Sequence, residues 1–259
     1  MRFLLRNLLP FFYFQTTRLN SVRLAVYHLF LEWIPATLLA LYFNPQEPKA
    51  LITLLLSYAA FISIYEIGYI VNDYFSERFE REPRGRLTEK GVTPWAIITL
   101  ILFRAAVFVG LTFVLGVEAS ALWGAFYFGL VLTFAFHNFW SNDHRLSSFF
   151  GLSVFRFLGP LVIVVPLSGL MMLLPAVMLY YSLFRAIAYG AAKGLIAIGS
   201  RESFQFKLIH YLNIVPLSVL FAVIFSSPMP IYFCGYYLLF WGFSYFVIGE
   251  RTLISRTGN

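Results

Sequence analysis

Tyr65-Glu66-Ile67-Gly68-Tyr69-Ile70-Val71-Asn72-Asp73-Tyr74-Phe75-Ser76-Glu77-Arg78-Phe79-Glu80 begins inside an apolar run and ends in charge. Glu66, Asp73, Glu77 and Glu80 are spaced by seven, four and three residues. On a helix those spacings align all four carboxylates along one face. Acids leaving a membrane-length segment are costly and usually have a cationic partner. A divalent metal holding a phosphorylated ligand meets that need.

The surrounding composition predicts a bilayer protein. Of 259 residues, 60% are hydrophobic and only 12% charged, and the mean hydropathy is +0.77. The expectation is one all-α integral membrane domain over 1–259. The 30 Phe and 16 Tyr suit lipid-facing and interfacial positions. Cys234 is the single cysteine, which excludes an internal disulfide framework. The net charge of +7 is read as a topology signal and an attraction to anionic membrane lipid, with no nucleic-acid partner. Residues 1–20 carry no small-residue cleavage site and are expected to form an interfacial segment.

Eight apolar stretches reach spanning length: 24–43, 50–72, 93–116, 119–137, 147–167, 170–198, 207–226 and 230–249. The connections alternate in charge. The first 23 residues hold four Arg, 73–92 holds Arg78, Arg81, Arg84, Arg86 and Lys90, and the tail holds Arg251 and Arg256. The intervening connections are short and contain one Lys and no Arg. The positive-inside rule then puts both termini and the 73–92 loop in the cytoplasm. An even number of spans agrees with it. The expected address is a multi-pass position in a plasma membrane, bacterial inner membrane in type.

Ionisable residues also fall inside the spans: His28, Glu32, Glu66, Arg104, Arg156, Arg185 and Lys193. Each costs about 2.5–3.5 kcal/mol on insertion scales, so each needs a reason. Buried ion pairs such as Glu66 with Arg104 are one reason. His28 and Glu32, one turn apart, suit a simple hydrogen-bonded pair. Two acids against four cations leave positive charge over, which favours an anionic ligand such as phosphate. Gly190 and Gly194 form a small-xxx-small pair, expected to serve close helix packing.

The 73–92 loop holds five acids and five bases, a pattern shared by solvated amphipathic helices. Two features set it apart. Asn72-Asp73 sits at the end of the hydrophobic run, and Arg84-Gly85-Arg86-Leu87 supplies a basic turn before the third span. Here the sequence resembles the UbiA superfamily of intramembrane prenyltransferases, whose second helix ends in Asn-Asp-x-x-Asp-x-x-x-Asp. This chain reads Asn72-Asp73-x-x-Ser76-x-x-x-Glu80, so Ser76 replaces one acid. Glu77 is adjacent but turned about 100° round the helix. His137-Asn138 to His144-Arg145 resembles the polar segment before that family's fifth helix. The likeness covers roughly residues 20 to 200 of the sequence. That family carries a second acidic pair on its sixth helix. This chain has only Glu202 and Glu250 as acids after Asp143.

The resemblance implies a UbiA-like bundle and Mg²⁺-dependent transfer of an isoprenoid group from a prenyl diphosphate to an acceptor. Asn72, Asp73 and Glu80 would be catalytic, and Asn72, Asp73, Glu77 and Glu80 would hold the metal. Arg84, Arg86, Arg145, Arg185, Lys193 and Arg201 would contact the diphosphate, the last two in place of the missing acids. Glu66, Arg104 and Arg156 would form an intramembrane polar set. Three other readings stand beside this one. They are a catalytically altered relative that binds a polyprenyl phosphate, a phosphoribosyl-type transferase and, less favoured, a small transporter.

Overall fold

The computed structural model describes residues 3, 6–45, 49–76, 87, 92–140, 144–195 and 204–246. No strand occurs among them. Six helices are long and apolar enough to cross a membrane: Val22–Phe43, Lys49–Tyr74, Pro94–Val114, Ala121–Phe139, Leu167–Ala192 and Phe206–Ile224. The chain divides into two compact units, Met1–Pro166 and Leu167–Asn259.

In the first unit a short helix, α1 (Phe12–Arg18), precedes α2 (Val22–Phe43), α3 (Lys49–Tyr74), α4 (Pro94–Val114), α5 (Ala121–Phe139) and α6 (Arg145–Leu158). Local signals set several boundaries. Ser21, Thr93 and Ser120 cap α2, α4 and α5 by accepting the Leu24, Ala96 and Trp123 amides. The middle of α2 widens into a π-helical turn over Leu29–Trp33. A 3₁₀ turn, Gly159–Leu161, ends α6 at Pro160.

Helix α3 is the axis of this unit. It is buried along much of its length and packs against α2, α4, α5 and the Gly159–Leu161 turn. Two glycines permit the close approaches. A Cβ on Gly68 would fall inside the ring of Phe134 on α5, and one on Gly159 inside the ring of Phe61 on α3. Polar ties fix the same contacts. Asn138 Nδ2 donates to the Gly68 carbonyl at 3.1 Å, and Ser57 Oγ to the Gly159 carbonyl at 3.3 Å. At one end of the unit Tyr13, Ile70, Tyr74, Leu87, Ile97 and Leu100 form a buried cluster, so one loop residue, Leu87, is anchored in the core.

The second unit contains α7 (Leu167–Ala192), α8 (Phe204–Ile224) and α9 (Met229–Ser244). Pro175 interrupts the hydrogen bonding of α7, and a π-helical turn follows at Met178–Ser182. Tyr180 in that turn donates to Ser218 Oγ at 2.7 Å, and its carbonyl accepts the Tyr211 hydroxyl. Tyr211 stacks on Tyr237 of α9, with centroids 5.5 Å apart.

The expected fifth and eighth spans, 147–167 and 230–249, are not among the six. Helix α6 is only 14 residues long and amphipathic, with Arg145 and Arg156 in it. Helix α9 is 16 residues long, and residues 247–249 lie outside the described set. Gly194 also differs from expectation. Helix α7 ends at Ala192, and Gly194 has φ +68 with nothing near its Cβ position. It terminates the helix, with Leu195 N–H donating to the Gly190 carbonyl at 2.8 Å, and no described atom packs against it.

The glycine contacts give a paired prediction. Gly68→Ala should lower stability by about 1–3 kcal/mol through the clash with Phe134. Gly110→Ala, where no atom lies near, should leave it unchanged or slightly raised. Thermal unfolding of both variants in detergent checks this. Equal melting temperatures would refute the close α3–α5 approach.

Candidate functional site: a buried polar centre in the first unit

Glu66 and Asp73 lie two turns apart on one face of α3, and neither is exposed at all. Their partners come largely from the N-terminal segment. Glu66 Oε1 accepts the backbone N–H of Phe14 at 2.6 Å, and its Oε2 accepts Arg104 Nε at 2.7 Å. Phe14 is the third residue of α1, whose first N–H groups have no partner within the helix. Glu66 therefore caps α1 from another helix. Arg104, also wholly buried, extends Nη2 to the carbonyl of Asn7 at 2.8 Å. Its Nη1 has no partner.

Asp73 is met in the same way. Oδ2 accepts the Tyr13 hydroxyl at 2.7 Å. Oδ1 accepts Arg18 Nη2 at 2.8 Å and Asn72 Nδ2 at 3.2 Å. The Arg18 guanidinium lies 4.3 Å above the ring of Tyr69. Burial works to lower the Arg18 pKa, but the Asp73 carboxylate outweighs it and leaves it above its ordinary value. Phe11, just before α1, has φ +79, a conformation that costs a bulky residue about 1–3 kcal/mol. The bonds to Glu66, Asp73 and Arg104 hold the segment in place regardless.

A second group adjoins the first through aromatic rings. Arg156 grips Glu32 with two nitrogens, Nε at 2.8 Å and Nη2 at 2.7 Å. Its Nη1 reaches the Tyr69 hydroxyl at 3.3 Å, and its guanidinium sits 4.8 Å over Phe14. His28 Nδ1 lies 2.8 Å from Glu32 Oε2, and its Nε2 lies 3.3 Å from the Tyr58 hydroxyl. Arg156 Nη2 also lies 3.3 Å from His28 Nδ1. Glu32 falls in the π-helical turn of α2. Phe14 stacks nearly parallel on Tyr69 at 6.0 Å, and Tyr69 meets Tyr65 and Phe134 edge-on. Glu32, Tyr58 and Arg156 also line a recess walled by Trp33, Ala36, Leu54, Phe157 and Pro160.

The candidate residues thus sort by place. Glu66 with Arg104, and Asn72 with Asp73, are brought together, and Arg156 joins Glu32. The span charges Glu32, Glu66, Arg104 and Arg156 pair one to one, which leaves Arg185 and Lys193 as the cations in excess of the two acids. Arg145 is buried at the start of α6. Arg185 and Lys193 belong to the second unit, where Arg185 donates to the Tyr181 hydroxyl at 2.7 Å and Lys193 ends α7, exposed. Glu77, Glu80, Arg84, Arg86 and Arg201 lie outside the described residues. Ser76 is 2% exposed and its Oγ has no partner among the described residues.

The described residues do not by themselves fit a magnesium ion. Mg²⁺ needs near-octahedral oxygen ligation. Both Asp73 oxygens already accept hydrogen bonds, and no group of three His, Cys, Asp or Glu side chains among the described residues is placed to hold a metal.

Sequence reasoning missed Asn7, Tyr13, Phe14 and Arg18. The available signal was an arginine at the end of an aromatic N-terminal stretch and an Asp73 with no cation inside the spans. No family model, curated protein or solved structure matches the chain.

Breaking the inner pair should be severe. Arg104→Met leaves Glu66 buried without its guanidinium, and should cost about 3–5 kcal/mol. Adding Glu66→Gln should restore more than half of that loss. Thermal unfolding of single and double variants checks the coupling, and an additive double variant would refute it.

Proposed function

We propose that the chain is an intramembrane transferase of the UbiA type, moving a prenyl group from a prenyl diphosphate to an acceptor. The reaction would take place at the Asn72–Asp73 end of α3, on the cytoplasmic side. The observation that carries this reading is Asp73 itself. It is a wholly buried carboxylate at the polar end of a 26-residue membrane-length helix, held by Arg18 and Tyr13 beside Phe14 and Tyr69.

The chemistry needs two kinds of environment together. When the allylic carbon–oxygen bond breaks, the electron pair leaves with the diphosphate, and a guanidinium stabilises that charge. The carbon left behind is cationic, and aromatic faces stabilise it. The Arg18 side of this centre offers the first environment, and the rings of Phe14, Tyr65, Tyr69 and Phe134 offer the second. Arg84 and Arg86 in the loop after α3, and Arg145 at the head of α6, are the further cations this proposal assigns to the diphosphate.

One observation favours a second reading. Both Asp73 oxygens are engaged by the chain's own donors, as suits a protein that binds a polyprenyl phosphate without ionising it.

The test uses purified full-length protein with farnesyl diphosphate as probe and a membrane lipid extract as acceptor. Release of diphosphate by wild type, reduced by at least about 100-fold in Asp73→Asn, is the expected result. Normal turnover in Asp73→Asn would overturn the site assignment. Tight binding without any release would favour the second reading.

A further inference from the structure

We propose that Arg18, anchored on Asp73, is the anion-binding residue of this centre, and that a phosphate or diphosphate group is held there by the guanidinium without a metal ion. The inference rests on the proposed function for the nature of the ligand's lipid part. For its phosphate part it rests on geometry.

Three observations carry it. The first is anchorage. Asp73 has no exposure and is fixed from the other side by the Tyr13 hydroxyl, so it holds Arg18 Nη2 at 2.8 Å in one position. Tyr69 supports the guanidinium plane from below at 4.3 Å. The second is unused capacity. A guanidinium has five N–H donors. One goes to Asp73 and one to the Thr17 carbonyl at 3.5 Å, which leaves three without a partner among the described residues. The third is access. The Arg18 side chain is 17% exposed while its carboxylate partner is 0% exposed, so Arg18 is the more accessible member of the pair.

An arginine held in this way is pre-organised. Its planar fork matches two oxygens of a phosphate, and its loss of side-chain freedom has already occurred before the ligand arrives. The Asp73 carboxylate then acts as a positioning residue. It orients Arg18 and does not touch the ligand. This accounts for a feature that a metal site does not: both Asp73 oxygens face protein donors, with Tyr13 and Arg18 reaching 60 and 55 residues along the chain to supply them. The chemistry recognised is a phosphate ester or diphosphate. Two sources present it, a prenyl diphosphate and free inorganic pyrophosphate.

The experiment measures binding to the purified full chain by calorimetry, with farnesyl diphosphate and with inorganic pyrophosphate, each in excess EDTA and in Mg²⁺. Wild type is expected to bind farnesyl diphosphate with affinities within about twofold in the two conditions, because the guanidinium and not a metal supplies the charge. Pyrophosphate binding at comparable affinity would assign recognition to the phosphate group, and binding of the lipid alone would add the chain as a requirement. Both outcomes support the inference if they persist in EDTA. Arg18→Gln should weaken binding by at least about tenfold, and Arg18→Lys should retain part of it, since lysine keeps the charge but not the fork.

Arg18→Gln leaves Asp73 buried and unpaired, so Arg18→Gln with Asp73→Asn provides the variant that keeps the centre neutral and folded. Its melting temperature should stay near that of wild type while its binding is lost. Binding that survives in this double variant overturns the inference. Binding that vanishes in EDTA, or Mg²⁺-dependent binding that strengthens in Arg18→Gln, overturns it too while leaving the transferase reading in place. Wild type that binds neither probe overturns both.

Discussion

The acidic face of α3 is the constraint on which the first unit depends. Glu66 and Asp73 are carried into a region from which water is excluded, and neither can remain there without donors. The residues that meet them come from both directions along the chain, Asn72 and Arg104 from the spans and Tyr13, Phe14 and Arg18 from the N-terminal segment. Each carboxylate takes one guanidinium and one donor from α1. That shared arrangement makes α1 part of the interior although it is only seven residues long. A helix of this length has no stability of its own in water. It exists here because Glu66 caps it and Asp73 holds both ends of its polar side.

The two polar groups are connected by aromatic rings. Phe14 has Tyr69 on one side and the Arg156 guanidinium near its face. Tyr69 in turn supports Arg18 by its ring and Arg156 by its hydroxyl. Two cations therefore share one aromatic pair, and each has its own carboxylate. Such a centre is neutral in pairs yet dense in charge, and it is rigid because every member is bound from more than one direction.

Much of this was legible in the sequence. The seven-residue spacing of Glu66 and Asp73 placed them on one helical face, and the i,i+4 spacing of His28 and Glu32 marked their contact. Glu66 with Arg104 followed from the cost of leaving either alone in a membrane. What was not legible was the partner of Asp73. Periodicity identifies a face but not what covers it. Arg18 reaches it across 55 residues of sequence, from a stretch read as interfacial. The 147–167 stretch misled for a related reason. Its apolar count reached spanning length, but Pro160 ends the helix and Arg156 lowers its hydropathy. Gly194 misled because a glycine at helical spacing reads alike whether it packs a helix or stops one.

The bonds of the N-terminal segment also impose an order in time. Asn7, Tyr13 and Arg18 leave the ribosome before the residues of α3 and α4 that they bind. Arg104 follows Asn7 by 97 residues. At ordinary synthesis rates of 5–20 residues per second, that is a wait of about 5–20 s. During that wait the segment lacks the partners that hold it. It can take its place only once α3 and α4 have both been delivered to the bilayer. The segment is thus made before those two helices and placed after them.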